Sequence, residues 1–169
     1  ISRDCEGVAG IVANEGKKFE EDFRKSIPAG YYIYKLKDAG GWSNASNTRF
    51  TISNMCDFIM YSRPTMYLLE LKSTKGKSLP FSNIKDNQVK ELLAASDIEG
   101  IRAGLVINLR SVNETYYLNI KDFKKYVETT ERKSVSLEYL RNNGILIGQE
   151  LKKTRYKYNI KKFIKWGNK

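Results

Sequence analysis

The sequence predicts an α/β fold: a single domain in which a mixed β-sheet is flanked by helices. Three observations carry this. Helical and extended periodicities alternate along the chain in the order helix, three strands, helix, two strands. The 169 residues are enough for one domain with a sizeable core, and no repeat, low-complexity stretch or change of composition divides residues 1–169. Hydrophobic residues make up 41% and charged residues 29%, the balance of a folded chain.

Each element has a local cause. Residues 1–13 are small and mixed, and are expected to be loose. Residues 14–27 read as a helix, because Phe19, Phe23 and Ile27 recur at four-residue spacing and Pro28 and Gly30 stop it. Residues 31–36 are a strand. Residues 37–54 are rich in Gly, Ser and Asn around Trp42 and Phe50, and are long for a connection. Two apolar strands follow at 55–62 and 66–73, joined by a turn at Arg63-Pro64-Thr65. Residues 74–81 form a basic loop. Residues 84–95 are a helix with Ile84, Gln88, Leu92 and Ala95 on one face. Strands at 103–108 and 115–120 lead into short helices at 121–129 and 137–142, with Gly144 as C-cap of the second. Residues 151–158 are basic, with tyrosines at 156 and 158.

Thirty Lys and Arg against 19 Asp and Glu give a net charge of +11. A polyanion is the expected partner, with nucleic acid foremost, since no amphipathic basic helix points to a membrane. No run approaches the length of a membrane span, and no secretory leader is evident, so a cytoplasmic protein is expected. Two cysteines, Cys5 and Cys56, fit a reducing compartment rather than a disulfide framework. The chain has no histidine, which excludes histidine-ligated metals, histidine general bases and Ser-His-Asp hydrolysis. Neither a cysteine cluster for zinc nor a G-x-x-x-x-G-K-[ST] phosphate loop occurs. Any catalysis rests on carboxylates, lysine and a hard cation.

The two-strand hairpin holds such a set. Asp57 lies in its first strand, and Glu70 and Lys72 share one face of the second by the two-residue period. A two-residue loop of Arg63-Pro64 pairs Ser62 with Thr65 and puts Asp57 opposite Glu70. A loop of Pro64-Thr65 puts Asp57 opposite Lys72 and diagonal to Glu70. Both keep the carboxylates on one face; a one-residue slip separates them. Glu70 and Lys72 follow Met66-Tyr-Leu-Leu69 into an otherwise buried strand, where charge is rare unless paired or metal-bound. Two carboxylates can hold a divalent cation against a phosphate, with the Leu71 carbonyl as a further oxygen ligand, while the lysine places the attacking water.

The order of these features resembles the PD-(D/E)xK nuclease superfamily, and more closely the RecU-type Holliday junction resolvases of Gram-positive bacteria and their phages. The stretches that carry the likeness are Asn14-Glu-Gly-Lys-Lys-Phe-Glu20; Glu70-Leu-Lys-Ser-Thr-Lys-Gly-Lys-Ser-Leu-Pro-Phe81 with Asn87-Gln88; Gly104-Leu-Val-Ile-Asn108; and Arg132-Lys-Ser-Val-Ser-Leu-Glu-Tyr139 with Asn143-Gly-Ile-Leu-Ile147. The resemblance implies a restriction-endonuclease-like fold. It implies a homodimer that uses Mg²⁺, with Mn²⁺ able to substitute, to nick opposed strands of a four-way DNA junction. Asp57 and Glu70 become metal ligands, Lys72 the catalytic lysine, Glu20 an acid that binds the metal or orients its water, and Gln88 active-site support. Residues 37–54 correspond to a projecting stalk. Cys56 stands where the superfamily name has proline.

Outside the centre, Lys75 and Lys77 directly follow the catalytic strand and are expected on phosphates. Lys152, Lys153, Arg155 and Lys157 are candidates for DNA contact, and Trp42 for stacking on a base. Two other readings share much of this pattern. One is a PD-(D/E)xK endonuclease acting on duplex, flap or branched DNA. The other is a DNA-binding protein without catalysis.

Overall fold

The computed structural model describes residues 5–37, 42–43, 49–50 and 54–167, with side-chain surroundings for 15–37 and 54–164. Helix α1 (Cys5–Lys25) leads to β1 (Tyr32–Lys35), two short strands β2 (Trp42–Ser43) and β3 (Arg49–Phe50), and the hairpin β4 (Phe58–Ser62) and β5 (Thr65–Thr74). Next come β6 (Ser78–Pro80), a 3-10 turn at Phe81–Asn83, α2 (Asp86–Ser96), β7 (Ile101–Leu109), β8 (Glu114–Asn119) and α3 (Ile120–Thr129). The chain continues through β9 (Ser134–Ser136), α4 (Leu137–Asn143), β10 (Ile145–Ile147), β11 (Gln149–Lys152), β12 (Arg155–Tyr158) and α5 (Ile160–Gly167).

Six strands form the central sheet, in the order β1-β4-β5-β7-β8-β10. Within it, β5 and β7 pair in parallel and the other neighbours antiparallel, so the sheet is mixed, as predicted. Alternation sorts the side chains onto two faces. Leu68, Leu105, Ile107 and Leu118 face α2 and α3, where Leu92 and Phe123 complete one core. Leu69, Leu71 and Val106 face the other way and pack with Phe19 and Phe23 of α1 and Phe163 of α5. Each such side chain contributes roughly 2 kcal/mol by leaving water. The central strands are therefore largely apolar on both faces, and among the described residues Glu70 is their fully buried charge.

Gly104 in β7 is required by contact. A Cβ there would lie 2.4 Å from the Leu118 carbonyl oxygen and 2.6 Å from the Tyr117 ring. Gly144 is the C-cap of α4 as expected, but its backbone is extended rather than left-handed, at φ −89°. What excludes a side chain there is the Leu140 carbonyl oxygen, 2.7 Å from a Cβ.

Three features depart from the sequence reading. Helix α1 begins at Cys5, inside the 1–13 stretch expected to be loose. Val8, Ile11, Val12 and Glu15 continue its spacing, and the interspersed glycines hid the pattern. The 74–81 loop contains β6, which pairs with β9 as a two-stranded ribbon. Residues 151–158 form part of a hairpin, β11 with β12, whose turn places Lys153 at φ 52°. Within the expected stalk at 37–54, Trp42 pairs with Phe50 and Ser43 with Arg49. At its base, the Asn54 side-chain amide donates to the Lys37 carbonyl at 2.6 Å.

Candidate active site

The β4–β5 hairpin pairs Ser62 with Thr65 and Phe58 with Leu69. This is the first of the two registers foreseen, with proline as the second central residue of the turn and a cis Arg63-Pro64 bond. The same register puts Asp57 opposite Glu70, and the Asp57 N–H donates to the Leu69 carbonyl at 3.1 Å. Because β4 begins at Phe58, the edge of β5 beyond Leu69 is open on that side. The Asp57 side chain fills the gap: Oδ2 accepts from the Leu71 N–H at 2.6 Å. A strand residue's N–H and C=O point the same way, so the Leu71 carbonyl also faces this open edge.

Glu70 is 2% exposed. Its Oε1 lies 2.7 Å from Lys72 Nζ, while Oε2 is buried with no hydrogen-bond partner among the described residues. Burial is the main cause that raises the Glu70 pKa; Lys72 and then Gln88 act against it. Gln88 is itself buried at the start of α2, where its Oε1 accepts from the Lys85 N–H at 3.4 Å. Burial also lifts Asp57, to about 7, with the neighbouring Glu70 charge second and the Leu71 N–H opposing. The buried Cys56 thiol is pushed up to about 12 by desolvation, then by Glu70 and Asp57. Two carboxylates thus sit side by side with too little positive charge near them.

Glu20 is close enough to raise both acids electrostatically. Its own carboxylate is drawn to Lys35 of β1, at 2.6 Å. Lys35 pairs across the strands with Phe58, and the next residue's N–H, on Leu36, donates to the Asp57 carbonyl at 2.9 Å. Among the described residues no three acidic or other metal-ligating side chains converge on one point. A direct Glu20 ligand is therefore not formed in this conformation, because Lys35 holds the carboxylate. The donors that do converge are two carboxylates, one with an unpartnered buried oxygen, and a backbone carbonyl. An all-oxygen set carrying excess negative charge suits a hard divalent cation such as Mg²⁺ or Mn²⁺.

The expected DNA contacts are spread more widely. Lys75 and Lys77 are exposed in the turn after β5. Lys152, Lys153 and Lys157 are exposed on the β11–β12 hairpin, with Lys152 paired to Glu150. Arg155 is committed elsewhere. Its Nε donates to the Asp22 carboxylate at 2.5 Å and its second nitrogen to Glu21 at 2.6 Å, fastening β12 to α1. Tyr158 is buried against Phe19 and Phe23, so it belongs to the core. The side chain of Trp42 lies outside the described residues. Sequence reasoning missed Lys35, whose only signal was a positive charge on a strand otherwise rich in tyrosine. It also missed a buried polar ladder at the sheet end, where Ser73 donates to Asn108 and Asn108 to Thr115.

Comparisons with known proteins point one way. The model of the RecU family, described as recombination protein U, matches residues 16–162. The SPbeta prophage-derived uncharacterized protein YotM of Bacillus subtilis is 27% identical over 165 residues, covering 88% of this chain and 84% of that protein. Holliday junction resolvase RecU of Staphylococcus saprophyticus is 37% identical over 82 residues, or 46% of this chain and 39% of that protein. The chain thus aligns with well under half of that relative's length. Among solved structures, the Holliday junction resolvase Hjc of Archaeoglobus fulgidus superposes with a TM-score of 0.53 at 15% identity. The match covers 77% of this chain and 93% of that one. At that identity the likeness is one of fold, restriction-endonuclease-like with a mixed sheet between helices.

Proposed function

The chain belongs to the RecU family, and from that premise we propose that it is a divalent-metal-dependent endonuclease that resolves four-way DNA junctions by paired nicks. The observation that carries the reading is the opposed pair of half-buried Asp57 and buried Glu70, with one Glu70 carboxylate oxygen unpartnered among the described residues. Such a pair is unfavourable unless a cation completes it. Asp57, Glu70 and the Leu71 carbonyl would hold Mg²⁺ or Mn²⁺, with Glu20 reaching it through a water.

When bound, the ion would polarise the scissile phosphate and lower the pKa of an attacking water. The chain's own residues do the rest. Lys72, anchored on Glu70, directs an ammonium toward the nucleophile and offsets charge developing on the phosphate. Gln88, buried at the start of α2, would help hold the Glu70 carboxylate. The Leu71 N–H keeps Asp57 turned to the open edge of β5. Lys75 and Lys77 would meet phosphates next to the cut.

Two nicks related by a two-fold axis call for two equivalent sites, so we assign a homodimer. An exposed patch supports it. Tyr32, Tyr61 and Met66 lie side by side across β1, β4 and β5, on the face that carries Asp57. Tyr32 is 60% exposed, more than an apolar ring in a closed monomer face requires.

The test is cleavage of a four-way junction beside a linear duplex of the same sequence, with Mg²⁺ and with EDTA. Paired, Mg²⁺-dependent nicks in the junction and little cutting of the duplex are expected. Equal cutting of both substrates would overturn the junction assignment, and absence of cutting with any divalent ion would overturn the enzyme.

A further inference from the structure

The β6–β9 ribbon presents a surface that the catalytic centre does not use. Leu79 and Val135 point from the ribbon into the core and are fully buried. By the two-residue period, Ser78, Ser134 and Ser136 then all lie on its outer face, with Ser78 directly across from Ser136. A groove of about 680 Å³ lies elsewhere, beside α1 and α5; the one over this ribbon measures about 520 Å³. Lys77 and Arg132 line the ribbon groove, and both side chains are exposed. Neither pairs with a carboxylate among the described residues. Arg141 also lines it but is held by Glu114 at 2.5 Å, and Glu138 is the one acid on the wall.

We propose that this groove is a seat for the DNA phosphodiester backbone, in which Lys77 and Arg132 each take a phosphate and the ribbon serines let the strand approach closely. This deepens the nuclease reading and rests on it. The chemistry suits a polyanion strand: two cations flank a floor of short hydroxyl side chains. The ribbon is also firmly seated. The Leu137 N–H donates to the Lys77 carbonyl at 3.1 Å, and the Phe81 N–H to the Lys133 carbonyl at 3.0 Å. Placement fits as well. Lys77 follows Lys72 by five residues, which limits their separation to about 18 Å of extended chain. Phosphates recur at about 3.4 Å of axis per strand, so the groove lies within about five nucleotides of the cut. Arg132 is far away in sequence and reaches this position only because β9 pairs with β6.

The experiment measures binding to a four-way junction and to linear duplex, in Ca²⁺ or EDTA, at several salt concentrations. The wild-type chain is compared with Lys77→Gln, Arg132→Gln, the double variant and Arg141→Gln. Each of the first two should lower the slope of log K against log salt by about one, and the double variant by about two, on both substrates. Arg141→Gln should leave the slope unchanged. Unchanged slopes in Lys77→Gln and Arg132→Gln, with wild-type DNA binding intact, would overturn the groove. A wild-type chain that binds neither DNA would instead overturn the nuclease reading itself.

Discussion

Two clusters of carboxylates lie on neighbouring parts of this molecule and are treated in opposite ways. At the junction of α1 and β12, Glu21 and Asp22 meet Arg155, and Asp22 also accepts from the Tyr156 N–H at 3.0 Å. Glu21 is held down to about 2, chiefly by its contacts with Lys25 and Arg155. At the β4–β5 edge, Asp57 and Glu70 face each other with one lysine, Lys72, paired to Glu70, and both are pushed up by burial. The first cluster is complete within the chain and joins two elements. The second is short of positive charge. Shortage of counter-charge, more than the mere presence of acids, is what supports the proposed cation site at Asp57 and Glu70.

The widest separation between the clusters should come from activity. Asp57→Asn and Glu70→Gln are expected to lower junction cleavage by about 100-fold or more, the scale of removing one charge-stabilising group. Junction binding in EDTA should stay near wild type or tighten, because a negative charge facing DNA is gone. Single-turnover cleavage and a binding titration check this; full cleavage by either variant would break the assignment.

Stability comes next and should run the other way. Asp22→Ala leaves the Tyr156 N–H and the Arg155 guanidinium without their acceptor, and Asp22 is only 3% exposed. A loss of about 2 kcal/mol is expected in urea unfolding, discounted because Arg155 keeps contact with solvent. Asp57→Asn should lose no stability at pH 8. A larger loss at Asp57 than at Asp22 would reverse the comparison.

A third contrast lies in the pH profile. Folded Asp57 holds its proton more tightly than the unfolded chain, up to about 7 against 3.8. Its contribution is present below the unfolded value and is lost as pH rises through that window, so stability without metal falls from about pH 4 to pH 7. Glu21 has the opposite sign. Its contribution is present above the ordinary Glu value of 4.5 and disappears as pH falls toward about 2. Mg²⁺ at 100 times its Kd should add about 2.7 kcal/mol at pH 8. Thermal melts of wild type and Asp57→Asn across pH, with and without Mg²⁺, separate the two slopes. A variant that keeps both the slope and the Mg²⁺ gain would refute Asp57 as their source.

Local pattern made the candidate site on the β4–β5 hairpin legible. Asp57, Glu70 and Lys72 lie within sixteen residues, and the strand period alone puts them on one face. The choice between the two registers depended on which turn residue proline occupied, and strand alternation is silent on that. Gln88 was visible as a polar residue on an apolar helix face, and it is buried and acts to lower the Glu70 pKa. What stayed hidden was pairing at a distance. Arg155 read as a free cation because its partners Glu21 and Asp22 lie more than 130 residues earlier. Lys35 had no sequence signal toward Glu20, and Arg132 none toward Lys77. The six-stranded order was also beyond reach, since β10 is three residues long and joins through β8.

The hydrogen bond from Asn54 to the Lys37 carbonyl has a consequence for how such a protein changes over time. It brings together the two ends of everything between β1 and the approach to Asp57. A segment that leaves and returns at one point can be lengthened, shortened or exchanged without shifting the strands on either side, and doubling a loop costs only about 0.6 kcal/mol. Changes in this segment are then inherited separately from the residues of the β4–β5 hairpin. A lineage can exchange residues 38–53 and leave the carboxylates where they are.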